Sequence, residues 1–149
     1  MRARGEARAL RATSVVAFGA HAALIAFSTA AMLTILNAAP SPVLQAEPAA
    51  TIMRISWKYS GPTYVVLGAV AALLHATWAF GVRRAATLFA VAVGLALGVE
   101  LLGTSAGFPF GDYAYTSRLG PRVLGLVPFA IPLSWFYMLY SSLALSSRV

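Results

Sequence analysis

The sequence predicts an all-α fold, a polytopic transmembrane bundle of about four helices, with residues 1–149 forming a single membrane domain. Three observations predict it. Hydrophobic residues fill 60% of the 149 positions and charged residues only 10%, against about 25% in an ordinary soluble domain. The stretches 12–46, 59–82 and 123–147 carry no charge, and 85–111 carries one, Glu100. The basic residues sit in the short flanks between these stretches, which is the pattern of membrane topology. A soluble domain this small buries only about 60–70% of its unfolded surface, too little for so apolar a chain.

The spans follow from length. About 20 apolar residues cross roughly 30 Å of hydrocarbon, which places helices near 13–36, 61–81, 85–104 and 124–145. Backbone groups find no partner in lipid, so the choice is helix or closed barrel, and these runs lack the period-two alternation of barrel strands.

The first span follows a basic start, Arg2, Arg4, Arg8 and Arg11. Its apolar run exceeds the roughly 7–15 residues of a secretory signal, so it reads as a retained helix. Segment 37–60 reads as a loop, because Pro40, Pro42 and Pro48 oppose a helix there. Trp57, Tyr59 and Tyr64 suit an interfacial aromatic belt. The second span, 61–81, carries the lone His75, as the first carries the lone His21. Neither has a partner at ligand spacing, so both read as packed or hydrogen-bonded and no metal is expected.

The third span carries Gly94 and Gly98, a GxxxG spacing with Ala90 one turn earlier. Small residues four apart allow close helix approach. Glu100 falls roughly 160° from Gly98 and shares its face with Val93, Ala96 and Leu97. The helix is therefore expected to pack through its glycines and present its carboxylate on the other side. The fourth span contains Pro128 and Pro132, followed by Trp135, Phe136, Tyr137 and Tyr140. Pro132 kinks it or marks its regular start.

Orientation follows from arginine. An inside N-terminus puts Arg2, Arg4, Arg8, Arg11, Arg83, Arg84 and Arg148 on the cytoplasmic side and Arg54, Lys58, Arg118 and Arg122 outside. The excess favours N-in and C-in, in the cytoplasmic membrane. The net charge of +7 is accounted for by these flanks and does not indicate nucleic acid.

The absence of cysteine excludes disulfides, thiolate nucleophiles and thiolate metal sites. No phosphate loop, dinucleotide fingerprint or nucleophile elbow is present. Of four acidic residues, Glu6 and Glu47 lie in solvated flanks. Glu100 lies near the outer edge of the hydrocarbon, where a carboxyl is costly and is usually paired or functional. Either it holds a proton by desolvation, or it pairs with Arg118 or Arg122. Asp112 lies in the loop Gly107-Phe108-Pro109-Phe110-Gly111-Asp112-Tyr113-Ala114-Tyr115-Thr116. Two glycines and a proline set turns there, and its ring density suggests a loop folded back toward the bilayer. The alternative is an interfacial turn with tyrosine anchors.

The run from Glu100 through Tyr115, continued by Leu119-Gly120-Pro121 and by Val127-Pro128-Phe129-Ala130-Ile131-Pro132-Leu133-Ser134-Trp135, resembles the signature of a membrane family of carotenoid biosynthesis. That family includes the ψ-end hydratases, of the γ-carotene or lycopene type in bacteria and the bisanhydrobacterioruberin type in haloarchaea. Its members are longer and have more spans, so by resemblance this chain is a truncated member.

The resemblance implies addition of water to the terminal double bond of an acyclic carotenoid ψ-end, giving a tertiary alcohol without a cofactor. The residue types suit the chemistry. An alkene needs an acid to protonate its less substituted carbon. The tertiary cation needs stabilisation that does not itself attack, which aromatic faces supply. A second carboxylate orients the water and takes its proton. Asp112 is the expected donor and Glu100 the base, with the two roles open to exchange. Tyr113, Tyr115, Trp135 and Phe110 are expected to line the substrate site. The expected partners are the carotenoid, the lipid bilayer, and a second copy or another chain that supplies further helices. Two rivals remain at this stage, a non-catalytic carotenoid-binding or scaffold subunit and half of a small-solute transporter.

Overall fold

The computed structural model describes residues 2–37, 42 and 46–147. In chain order it holds α1 (Arg2–Asn37), α2 (Ala49–Phe80), α3 (Val82–Ala106), a 3-10 turn (Ser117–Leu119), strands β1 (Arg122–Val123) and β2 (Val127–Pro128), and α4 (Ala130–Ser147). The fold is all-α. Among the described residues, three helices are long and apolar enough to cross a membrane: Gly5–Thr34 within α1, then α2 and α3. The fourth, α4, has 18 residues, or roughly 27 Å.

Two boundaries differ from the sequence reading. The expected loop 37–60 is helical from Ala49 onward. Pro48 stands at the N-cap of α2 with φ −89°, where a missing N–H costs nothing. The Ala46 N–H bonds the Pro42 carbonyl at 3.1 Å, and Pro40 lies outside the described residues. Pro62 is carried inside α2, which runs through it. The fourth helix begins at Ala130 rather than near 124. Leu124 (φ 51°) and Gly125 (φ 73°) adopt left-handed conformations that turn the chain into an antiparallel hairpin, pairing Arg122 with Pro128 and Val123 with Val127.

The core joins α2, α3 and α4. Ala69, Ala72 and Ala76 of α2 meet Ala85 and Ala92 of α3 around Phe136 and Tyr140 of α4. Small side chains on two helices make room for large rings from the third, and close packing rather than hydrophobic exclusion holds helices together in lipid. Phe89 meets Phe136 edge-on at 4.9 Å between ring centres, and His75 Nδ1 lies 2.5 Å from the Tyr140 hydroxyl.

Helix α1 packs on α2 through a seam of Leu10, Ser14, Ala17, His21, Leu24, Ser28 and Ala31, spaced alternately four and three residues apart. Its large apolar side chains, such as Val15, Phe18 and Phe27, face outward. His21 Nδ1 lies 2.6 Å from the Tyr64 carbonyl. A carbonyl only accepts, so Nδ1 carries the proton. A Cβ on Gly68 would lie 2.7 Å from the His21 ring, so α2 needs glycine where the imidazole crosses it.

The expected packing of α3 is reversed. Gly94 and Gly98 meet no other atom, and Ala90, Val91 and Leu95 are exposed beside them. The side that packs carries Ala85, Ala92, Ala96, Glu100 and Gly103. The carboxylate faces inward because its own flank holds the small residues that α2 and α4 approach.

Candidate functional site

Glu100 is 5% exposed, and three donors converge on its carboxylate. Oε2 accepts the Tyr113 and Tyr115 hydroxyls, both at 2.6 Å. Oε1 accepts the Trp135 indole N–H at 3.1 Å. A carboxylate offers about four lone-pair positions and no donor, so three donors nearly saturate it. The burial of so polar a group is matched by hydrogen bonds, as a buried acceptor requires.

Local geometry brings these residues together from three places. Glu100 sits on α3, two turns from its C-terminal end. Gly107 closes that helix in the left-handed conformation (φ 69°), and its N–H bonds the Gly103 carbonyl. The loop then turns again at Gly111 (φ 85°), whose N–H bonds the Gly107 carbonyl at 2.6 Å. These turns send residues 112–116 back along α3. Tyr113 and Tyr115 alternate along this extended return, so both rings reach the helix. They meet edge-on at 5.5 Å between centres. Gly103 lies one turn above Glu100, and a Cβ there would sit 2.5 Å from the Tyr113 hydroxyl. Its lack of a side chain is what lets the phenol through. The Arg122 guanidinium donates to the Tyr115 carbonyl and fixes the far end of the return.

Trp135 comes from the second turn of α4 and is 48% exposed, so one side of its indole faces outward beside the buried carboxylate. Phe110 is exposed and reaches the cluster through an edge contact with Tyr113 at 6.3 Å.

Of the residues singled out from the sequence, Glu100, Tyr113, Tyr115 and Trp135 share one hydrogen-bonded cluster, and Phe110 lies at its rim. Asp112 does not join it. It is exposed and stands over Gly107, where a Cβ would lie 2.6 Å from Oδ1. The alternative pairing of Glu100 with Arg118 or Arg122 is not formed. Arg118 stacks on Trp57 at 5.0 Å, and Arg122 holds the Tyr115 carbonyl.

Burial first, and then the bond to Glu100, push the Tyr113 and Tyr115 phenols above the ordinary tyrosine value of 10.0. Both therefore stay protonated and remain donors at neutral pH. Among the described residues no cluster of three His, Asp or Glu has metal-binding spacing. Two open grooves lie elsewhere, one lined by Arg83, Arg84, Thr87, Leu88 and Val91, the other by Met53, Arg54, Trp57, Lys58 and Arg118.

Sequence reasoning missed two contributors. Gly103 carries no signal beyond its type, and its role follows only from the path of the return strand. The partnership of Arg122 with a backbone carbonyl has no sequence signature.

Comparison with known proteins places the chain in a family. Residues 60–149 match the family described as carotenoid biosynthesis protein, a stretch that takes in α3, the return loop and α4. This chain belongs to that family: it is a multi-pass membrane protein of carotenoid biosynthesis. It is similar to the bisanhydrobacterioruberin hydratase of Haloarcula japonica, with 45% identity over 56 residues, and the match covers 37% of this chain and 19% of that protein. The chain thus aligns with about a fifth of its relative's length. No solved structure matches it.

Proposed function

We propose that this protein hydrates the terminal double bond of an acyclic carotenoid ψ-end, of the lycopene or γ-carotene type, to a tertiary alcohol, and that it does so in the cytoplasmic membrane with its N-terminus inside. The observation that carries the reading is the Glu100 carboxylate, buried under two phenols and an indole within the family-matched part of the chain. The name of the Haloarcula relative supports the reaction type.

In this reading Asp112 gives its proton to the less substituted carbon of the double bond. The π electrons form the new C–H bond and leave a tertiary cation. Tyr113, Tyr115 and Trp135 offer aromatic faces to that cation, worth about 0.5–2 kcal/mol each, and Phe110 extends the apolar wall. Water then attacks the cation, and Glu100 takes the proton that water releases. Proton exchange through solvent returns Asp112 and Glu100 to their starting states. The sum is addition of one water, with no oxidant or reductant. Three hydrogen bonds leave the Glu100 carboxylate about one lone-pair position for the proton from water, and the exposure of Asp112 lets it exchange protons with solvent.

The test is expression of this chain in cells that make lycopene, followed by mass analysis of extracted pigment. A product heavier by one water, absent with Asp112→Asn, is expected. Unchanged lycopene with the protein confirmed in the membrane contradicts hydration of lycopene by this chain. A carotenoid that copurifies chemically unaltered favours a second reading, a binding subunit.

A further inference from the structure

The α2–α3 corner carries a groove that combines cationic and apolar side chains. It is open, has a volume of about 550 Å3 and is lined by Arg83, Arg84, Thr87, Leu88 and Val91. Its upper rim is cationic and its lower wall apolar. Among the described residues neither guanidinium has a carboxylate or aromatic partner. The cations of the second groove differ. Arg54 bonds the Thr51 hydroxyl at 3.2 Å, Lys58 lies over Tyr59 at 5.1 Å, and Arg118 lies over Trp57 at 5.0 Å. Arg11, on α1, lies over Trp78 at 5.4 Å. Arg83 and Arg84 thus keep their guanidinium donors open to a ligand, without a ring stacked on either.

The backbone adds to this. The first α3 amide bonded back along the chain is that of Ala85, to the Gly81 carbonyl at 3.1 Å. The Val82, Arg83 and Arg84 amides before it have no partner within the helix. Two arginines at a helix N-terminus also oppose the helix dipole, a conflict that an anion removes. Below the rim, the exposed face of α3 continues through Val91, Gly94, Leu95 and Gly98. The face is open at the glycines, since a Cβ at either would meet nothing within 4 Å.

We propose that this groove is a binding site for an anionic phospholipid, with the headgroup phosphodiester held by Arg83 and Arg84 and one acyl chain lying along Leu88, Val91 and the open face of α3 beyond them. Guanidinium matches phosphate geometry with paired N–H donors. A basic rim over an apolar wall matches a headgroup joined to a chain, which free phosphate does not. A choline headgroup would set its own cation against the arginines, so the selectivity is for net negative lipid.

The test uses the full chain in detergent, with native mass spectrometry of bound phosphatidylglycerol against phosphatidylcholine. Retention of phosphatidylglycerol is expected to exceed that of phosphatidylcholine by roughly tenfold. The double variant Arg83→Gln/Arg84→Gln should lose this excess, while Arg54→Gln/Lys58→Gln at the other groove keeps it. Because arginines also set topology, Thr87→Trp serves as the second variant. It keeps both charges, fills the groove, and should lose the lipid equally. Equal retention of the two lipids, or retention of phosphatidylglycerol by both groove variants, would overturn the proposal. So would displacement of the lipid by millimolar inorganic phosphate, which would identify a free-phosphate site.

Discussion

Glu100 and Asp112 are both carboxyls of the same family-matched segment, and the fold treats them in opposite ways. Glu100 is buried inside the bundle and accepts three hydrogen bonds. Asp112 is exposed on the loop that delivers two of those donors. The difference teaches that one group is built into the structure and the other is only presented by it. A buried acceptor is tied to stability as well as chemistry, because removing it strands its donors. An exposed carboxyl at a turn has no such tie to stability.

The sharpest way to break this comparison is truncation of each. Glu100→Ala should destabilise the folded protein in detergent by about 3 kcal/mol, since two phenols and an indole lose their acceptor. Asp112→Ala should stay within about 0.5 kcal/mol of the parent, as surface changes do. Unfolding curves for the two variants check both, and equal losses would erase the distinction.

Glycine offers the same contrast on one helix. Gly103→Ala places a methyl against the Tyr113 hydroxyl and should cost about 1–3 kcal/mol by overpacking. Gly98→Ala meets open space and should be neutral or slightly stabilising, because it adds helix propensity. Thermal unfolding of the pair separates the packed face of α3 from its open face.

Smaller again is the loss of one phenol. Tyr115→Phe and Tyr113→Phe should each cost about 1 kcal/mol, the net value of one hydrogen bond, with Glu100 still held by the remaining two donors.

The smallest effect is on titration. A raised tyrosine value means the folded state holds its proton more tightly. The stabilisation is fully present below the ordinary value of 10.0 and is lost as pH rises beyond it through the folded values. Tyrosinate absorbance should therefore show the Tyr113 and Tyr115 phenols titrating above 10.0, and Glu100→Gln should lower them in part, burial being the larger cause. Uniform titration of the tyrosines in the parent would contradict the cluster.

Much of this was legible in the sequence. Charge-free stretches give the apolar helices because lipid leaves the backbone no other partner. That Glu100 shares a face with Val93, Ala96 and Leu97 follows from helical periodicity, but periodicity does not say that this face turns inward. The density of rings in 108–115 marks a loop that folds back. The remainder depends on three-dimensional placement. Gly94 and Gly98 have the spacing of a packing face, yet spacing does not say which partner covers it, and the alanines on the opposite side do the packing. Pro48 reads as a helix breaker, although at an N-cap proline is compatible with the helix that follows. The hairpin at 122–128 depends on left-handed backbone at Leu124, a residue that gives no warning of it. The roles of Asp112 and Glu100 stay open to exchange in the sequence, because which donors reach Glu100 is decided by the turns at Gly107 and Gly111 rather than by local composition.

The central claim is that the buried carboxylate serves hydration of a carotenoid. Glu100→Gln tests it most directly, because the amide keeps the shape and an acceptor oxygen but cannot take a proton from water. In lycopene-making cells, with the variant confirmed in the membrane at parental level, the account predicts that the parent yields the tertiary alcohol and Glu100→Gln yields none. Alcohol formation by Glu100→Gln at the parental rate would contradict it.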